Sequence, residues 1–350
     1  MARTAIGLDI GTAGVRAAEL RGKDPATLVR FAQLTLPPGA VSAGEIADRD
    51  AVASVLRDLW RRGGFKSRQV ALSVANQSVV ARQIDLPRMG ADELRGALRF
   101  QVQDHIPIPV EDAVLDFIIL EEFESEEKQP KMRVLTVAAQ REMVDGVVDV
   151  VGRAGLEPVS IDVGPLSLMR ALVESTPLTA AGEARAVVDV GAGVTTVVVH
   201  VDGTPRFLRI LTAGGGDVTA ALVADLGMGA EDAEAQKIHL GLGAEGESVD
   251  PGAATVIEQR ARAFIDDVRR SIEYFQSQPG GSKVAHVTVV GGGSRMRRLP
   301  ERLATALRIP VEEGNALARV KVAAELGLTD EQLDQVSAVG GVAIGSALES

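Results

Sequence analysis

Two short stretches of the chain carry the same residue types in the same order, 180 residues apart: Leu8-Asp9-Ile10-Gly11-Thr12 and Val188-Asp189-Val190-Gly191-Ala192-Gly193. Each sets an Asp at the end of an apolar, strand-like run, directly before a glycine-containing turn and a second strand. Such a turn presents backbone N–H groups to an anion, and glycine removes the Cβ that would hold a phosphate away. The hydroxyls of Thr12, Thr195 and Thr196 add hydrogen-bonding capacity. A carboxylate beside a phosphate is repulsive unless a hard cation lies between them. Mg²⁺ held by Asp9 and Asp189, through carboxylate and water, meets that need. Either turn alone is an ordinary tight turn. Two of them, one near the start of each half of the chain, imply related lobes that grip a polyphosphate from both sides.

A third element strengthens the pair. Val287-Thr288-Val289-Val290 is a buried-strand pattern that opens through Gly291, Gly292, Gly293 and Ser294 toward a helix. Three successive glycines permit close backbone approach to something flat, such as a nucleoside. Other motif scans exclude more than they suggest. No G-x-x-x-x-G-K-[ST] loop occurs, and Gly241–Gly246 matches G-x-G-x-x-G but follows a helix instead of a strand. The opening turn also leads to a strand, which argues against a nicotinamide dehydrogenase. His105, His200, His239 and His286 are scattered and not at ligand spacing.

The elements that must position these residues can be read from periodicity. Residues 3–20 form a strand, turn and strand, and 50–62 a helix with Val52, Val55, Leu56 and Leu59 on one face. Strands are expected at 69–75 and 78–86. Leu94, Leu98, Val102 and Ile106, spaced by four, define an amphipathic helix stopped by Pro107 and Pro109, and strands at about 113–123 and 131–139 complete a helix-plus-hairpin unit. A helix at 141–154, a strand at 157–161 and a helix at 164–174 follow. The small, polar stretch 175–184 marks a boundary between lobes. Beyond it the pattern predicts strands around the Gly191–Gly193 turn and the Asp202–Gly203 hairpin, then helices at 217–227, 230–239 and 251–277. A strand at 284–290 and helices at 298–307 and 330–348 end the chain. Lobe I is thus expected over 1–184, with a core of 1–80 and 138–184 and an inserted subdomain at 81–137. Lobe II is expected over 185–350, with a core of 185–228 and 283–350 and a smaller subdomain at 229–282.

Composition agrees with such a protein. The 350 residues suit two lobes, since a domain takes about 100–200 residues. A hydrophobic fraction of 46% against 24% charged supplies cores, and the absence of cysteine excludes disulfides, cysteine nucleophiles and thiolate metal sites. The net charge of −11 disfavours nucleic acid and anionic lipid as main partners, and Arg295, Arg297 and Arg298 read as a solvated loop and helix start. The N-terminus lacks the apolar stretch of a secretory leader and no run approaches a membrane span, so a cytoplasmic location is expected.

The order of phosphate turn, inserted unit, second phosphate turn, long helix, glycine-rich turn and terminal helix resembles the actin/Hsp70/sugar-kinase superfamily. Within it, the stretches at 84–120, 231–241, 266–278 and 290–307 are similar to the PilM family of type IV pilus assembly proteins. The resemblance runs over nearly the whole chain, and its most specific part is the insertion. It implies an α/β, actin/Hsp70-like two-lobed fold with duplicated RNase H-like cores and an FtsA/PilM-type inserted subdomain. It also implies ATP and Mg as cofactors. Asp9, Gly11, Thr12 and Arg16 would belong to the first phosphate turn, and Asp189, Gly191, Gly193, Thr195 and Thr196 to the second. Gly214, Gly215 and Gly216 would approach the phosphates. Glu234 and Lys237 would border ribose and base, and Arg270, Ser271 and Gly291, Gly292, Gly293 and Ser294 the adenine side. The implied partner is the cytoplasmic tail of a PilN-like inner-membrane protein, docked beside 84–120, with other pilus platform or motor proteins and self-association as further partners and no nucleic acid. Gly164 stands where related ATPases carry a water-positioning side chain, which implies slow hydrolysis at most. Two other functions share the fold. An FtsA-like division protein would add a basic membrane helix, and a small-molecule kinase would need an acceptor-activating Asp; neither feature is evident here.

Overall fold

The computed structural model describes residues 4–173, 182–243, 250–278 and 280–349. Most of the boundary stretch expected at 175–184 falls outside them.

The chain opens with β1 (Thr4–Ile10), β2 (Gly14–Arg21) and β3 (Thr27–Thr35), an antiparallel meander. The short pair β4 (Val41–Ser42) and β5 (Glu45–Ile46) leads to α1 (Arg49–Gly63), whose N-cap Asp48 accepts a hydrogen bond from Ala51 N–H at 2.9 Å. Strands β6 (Gln69–Val74) and β7 (Val79–Pro87) follow, then α2 (Ala91–Val102), β8 (Ala113–Glu124), β9 (Pro130–Gln140), α3 (Arg141–Arg153), β10 (Glu157–Val163) and α4 (Gly164–Leu172). The second half repeats the plan: β11 (Ala184–Val190), β12 (Thr195–Val201), β13 (Thr204–Leu211), α5 (Gly215–Leu226), α6 (Ala230–Leu240), α7 (Pro251–Ser277), β14 (Val284–Val290) and α8 (Leu299–Leu307). Short strands β15 (Val311–Glu313) and β16 (Lys321–Val322), then α9 (Asp330–Val339) and α10 (Gly341–Glu349), close the chain.

Two mixed sheets dominate, one of six strands in the order β10-β6-β1-β2-β3-β16 and one of five in the order β13-β12-β11-β14-β15. In each, a hairpin built around an Asp-bearing strand (β1–β2 or β11–β12) is extended by a parallel strand at its side (β6 or β14). That is the duplication expected from the two turns. One core lies between the first sheet and α1 and α3, through Leu8, Leu56, Leu59 and Val150. Another fills the second sheet's face against α5 and α7, through Val188, Leu222, Ile257 and Val268. A third joins the two halves through Val74, Leu168, Val187, Val198 and Val290.

The insertion has its own core. The three-stranded sheet β7-β9-β8 packs Ile84, Leu86, Met132 and Val134 against Leu94, Leu98 and Val102 of α2. The helix ends at Val102, earlier than its four-residue spacing suggests, and Ile106 caps the same core from the turn that follows.

Three features were not legible in the pattern. Strand β3 was not expected, and β16 returns from far along the chain to pair with it (Lys321 opposite Thr27). The terminal helix is two helices, divided at Gly340. The second of these, α10, packs on β1 and α4, so residues late in sequence complete the first sheet's layer. The approach is close enough to need glycine. A Cβ at Gly7 would fall inside the Ala343 carbonyl, and one at Gly345 inside that of Ser167. Gly345→Ala should therefore force α10 away from α4 and cost about 1–3 kcal/mol, the usual range for overpacking. A denaturant midpoint unchanged by that substitution would show that the contact can relax freely.

Candidate functional site

Asp9 and Asp189 occupy matching places, each one residue from the end of its strand, and the turns behind them close identically. Gly11 N–H donates to Gly14 O at 3.0 Å, and Gly191 N–H donates to Val194 O at 2.9 Å. Thr12 and Ala13 in the first turn, and Ala192 and Gly193 in the second, lie outside the strand ladders. The two turns meet across the molecule: a Cβ at Gly193 would touch the Thr12 side chain at 2.9 Å. Between them lies a cleft of about 650 Å³.

The cleft floor carries the charge. Asp9 accepts from Arg16 Nη1 at 3.0 Å, across the β1–β2 pair in which the two residues are opposite one another. Burial raises the Asp9 carboxyl above its ordinary range, and the charge and hydrogen bond of Arg16 pull it back. Asp189 has no such hydrogen bond from Arg16. Burial first, then the negative charge of Asp9, push it up to about 6, with the more distant Arg16 opposing. Two carboxylates thus face one another with one guanidinium to share. Among the described residues no three His, Asp or Glu gather to hold a metal. A cation here would be held by these two carboxylates with water and ligand oxygens, which is the manner of Mg²⁺.

The walls offer unpaired hydrogen-bonding groups. Thr12 Oγ1, Thr196 Oγ1 and Arg16 Nε are buried without a partner. Such orphans are costly unless a ligand satisfies them. Thr196 sits opposite Asp189 in the β11–β12 pair, so its position mirrors that of Arg16 opposite Asp9.

Glycines draw the remaining elements onto the second turn. Gly215 N–H donates to Gly191 O at 2.9 Å and Gly216 N–H to Ala192 O at 2.7 Å, which ties the start of α5 to that turn. Gly214 N–H donates to Asp217 Oδ2 at 2.8 Å, which caps the start of α5 from its third residue. Gly291, at φ +92°, is pressed on the Asp189 carboxylate, where a Cβ would collide with Oδ1. Ser294 Oγ donates to Gly291 O at 2.7 Å and holds that turn.

Glu234 and Lys237 are one bonded unit. Lys237 Nζ, largely buried, donates to Glu234 Oε2 at 2.7 Å, Thr219 Oγ1 at 3.0 Å and Gly215 O at 3.1 Å. Burial works to raise the Glu234 carboxyl, but the bonds from Lys237 and Thr219 outweigh it and hold it low. The pair thereby braces α6 against the start of α5.

The structure gathers most of the sequence-predicted residues in this cleft: Asp9, Gly11, Thr12, Arg16, Asp189, Gly191, Thr196, Gly215, Gly216, Glu234, Lys237 and Gly291–Gly293 line it. Gly193, Thr195, Gly214 and Ser294 stand just behind. Thr195, for example, spends its hydroxyl on Ala213 O at 2.8 Å. Arg270 and Ser271 are not among the lining residues. Arg270 points outward to Asp267, and Ser271 is buried with its hydroxyl on Asp267 O at 2.7 Å. Sequence reasoning missed Ser73, which lines the cleft beside Asp9 in the β1–β6 register. Its hydroxyl joins those of Ser167 (2.6 Å) and Ser346 (2.7 Å) in a buried cluster. Serines separated by 94 and 273 residues give no sequence signal of such a cluster. Gly164 lines the cleft at the start of α4. Asp162 is held aside by Arg170 and by Ser167 Oγ at 3.0 Å.

A family model described as type IV pilus assembly protein PilM matches residues 7–350. The chain belongs to the PilM family. It is similar to a solved PilM–PilN type IV pilus biogenesis complex, at 28% identity over 99% of this chain and 98% of that one, with a TM-score of 0.84. The ethanolamine utilization protein EutJ from Carboxydothermus hydrogenoformans matches at 16% identity, 99% and 90% coverage and TM-score 0.58. MreB5 of Spiroplasma citri bound to ADP matches at 15% identity, 98% and 95% coverage and TM-score 0.50. These likenesses establish the actin-like fold, and a role in type IV pilus assembly follows from PilM family membership.

The carboxylate pair yields a prediction with a definite sign. Folding raises the Asp189 pKa from near 3.8 to about 6, so the native state binds the extra proton between those values. Stability therefore falls as pH rises through that window, and the full penalty, at most roughly 3 kcal/mol, is present above it. Asp189→Asn should raise stability at pH 7.5 and gain little at pH 4. Urea unfolding at the two pH values checks this, and an equal gain at both would mean that charge is not the cost.

Proposed function

We propose that this PilM-family chain is a cytoplasmic, ATP-binding, actin-like scaffold of the type IV pilus inner-membrane assembly platform, and that it docks the cytoplasmic N-terminal tail of a PilN-like membrane protein. The observation that carries the nucleotide half is the pair of buried, partnerless hydroxyls, Thr12 and Thr196, set on opposed turns beside two carboxylates. A triphosphate between the turns would satisfy both hydroxyls and the Arg16 guanidinium. Mg²⁺, when bound, would neutralise the phosphate–carboxylate repulsion, with Asp9 and Asp189 as its protein ligands through water. Glu234, the Thr219 side and Gly291–Gly293 border the part of the cleft left for ribose and base. The two-lobe division near residue 184 belongs to this reading, with the first lobe completed in space by β16 and α10.

The chain's own groups favour binding over turnover. Gly164 has no side chain to orient an attacking water, and Asp162 is committed to Arg170 and Ser167. Hydrolysis should be slow, well below one turnover per second.

The docking half rests on a second groove, of about 190 Å³, where β8 of the insertion faces β10 of the first sheet. Both are edge strands of their sheets. Val114, Phe117 and Ile118 line one side, and Ile161, Val163 and Leu166 the other. Val114 and Ile161 remain partly exposed. An extended segment laid between two strand edges can be recognised by backbone hydrogen bonds and alternate side chains. The similar solved structure is of a PilM–PilN complex, which supports the choice of occupant. Among the described residues no helix is long and apolar enough to cross a membrane, so membrane attachment in this reading comes through the partner.

Two separable outcomes test the proposal. Thr12→Val with Thr196→Val should weaken Mg·ATP binding tenfold or more in calorimetry and leave the tail peptide's affinity nearly unchanged. Ile161→Asp should abolish binding of a PilN-tail peptide and spare the nucleotide. Unchanged ATP affinity in the first variant sinks the phosphate assignment, and retained peptide binding in the second sinks the groove.

A further inference from the structure

The register of the first sheet sets four polar side chains in one row. Asp162 of β10 pairs with Ser73 of β6, Ser73 with Asp9 of β1, and Asp9 with Arg16 of β2. Registered residues on neighbouring strands project to the same face, with the strands about 4.8 Å apart. Ser73 therefore stands between two carboxylates. Asp9, Ser73 and Arg16 line the cleft, and so does Gly164 at the start of α4; Asp162 is not among the lining residues.

The hydrogen bonds give this row a direction. Each serine hydroxyl has one proton to donate and two lone pairs. Ser167 Oγ donates to Asp162 Oδ2 at 3.0 Å. Ser346 Oγ donates to Val342 O at 2.8 Å, with Ser167 Oγ at 3.3 Å as its second acceptor. With those protons engaged, Ser73 is the donor toward Ser167 (2.6 Å) and Ser346 (2.7 Å). Its lone pairs are left to accept from the cleft. The polar chain thus runs one way, from the cleft through Ser73 and Ser167 to Asp162, whose charge Arg170 offsets.

From this row and its polarity we infer that Ser73 is the water-positioning residue of the cleft, in the role that Gly164 leaves unfilled, and that Ser167 and Asp162 form the proton path behind it. The inference rests on the nucleotide reading above. A water that donates to Ser73 Oγ is held beside Asp9, at the phosphate end of the cleft in that reading. As its oxygen bonds to the terminal phosphorus, the bond from phosphorus to the bridging oxygen breaks, and that electron pair leaves on the diphosphate. The water's proton passes to Ser73 Oγ, the Ser73 proton to Ser167 Oγ, and the Ser167 proton to the Asp162 carboxylate. Two intervening hydroxyls and a carboxylate already paired with Arg170 make a poor base, which agrees with slow turnover.

The chain has no cysteine, so a single introduced thiol reports on its own surroundings. In the full chain, the thiol of Ser73→Cys should react with methyl methanethiosulfonate and be protected by a non-hydrolysable Mg·ATP analogue. The thiol of Ser346→Cys should stay inert in both states, since Ser346 is fully buried. Ser73→Ala and Ser167→Ala should each slow single-turnover hydrolysis about tenfold or more, at unchanged Mg·ATP affinity in calorimetry. Combining the two should slow it no further, because they act on one path. Ser346→Ala, which removes a comparable buried bond off that path, should spare the rate. An inert Ser73→Cys thiol, or one that nucleotide does not protect, overturns the inference. So does a parent rate below detection, an unchanged rate in Ser73→Ala, or equal loss in all three alanine variants. Failure of the parent chain to bind Mg·ATP overturns the nucleotide reading itself, and this inference with it.

Discussion

Two largely buried carboxylates, Asp9 and Asp189, are the constraint around which this molecule is arranged. They lie close enough for the charge of one to raise the ionisation of the other, and Arg16 is bonded only to Asp9. Taking like charges out of water together is unfavourable, and the raised ionisation of Asp189 registers that cost. The fold nevertheless delivers both to one point by building the same hairpin twice and setting the two turns in contact. Glycine follows from this demand. Gly191, Gly214, Gly216 and Gly291 bring three backbone segments so close to Asp189 and its turn that side chains there would collide. The cleft is thus walled largely by main chain, with the unpartnered hydroxyls of Thr12 and Thr196 set into it.

Much of this was legible in the sequence because it is local. An Asp before a glycine turn between apolar runs is a pattern of five or six residues, and its recurrence half a chain away needs only comparison of the chain with itself. Helix α7 was bounded correctly because its signals are also local: Asp250 caps it, Pro251 starts it and the apolar face from Ile257 to Phe275 keeps a helical period. The insertion, with Leu94, Leu98 and Val102 facing its own hairpin, was legible for the same reason.

What escaped was set by contacts between distant segments. Nothing near Ser73 announces that Ser167 and Ser346 will share its hydrogen bonds. Lys321 and Val322 make a strand only because β3 lies beside them. The division of the last helix at Gly340 follows from packing, since a Cβ there would press on Val336 O and on Phe31. Arg270 and Ser271 lie on a helix whose position was right, but the turn of that helix directs one to solvent and the other into the α7 backbone. Sequence gives an element's period more readily than its rotation against neighbours.

The contact between Gly193 and Thr12 bears on how the two halves can move. The turns already touch at the floor, so the cleft cannot narrow by sliding one half toward the other. Any motion that keeps the contact is a rotation about it. Such a rotation leaves the end of the cleft beside the two turns almost fixed and swings the outer rim furthest, where Thr219 and Glu234 lie. Thr12 then serves as the fulcrum of a lever, and the lack of room for even a methyl at Gly193 sets how firmly that fulcrum is seated.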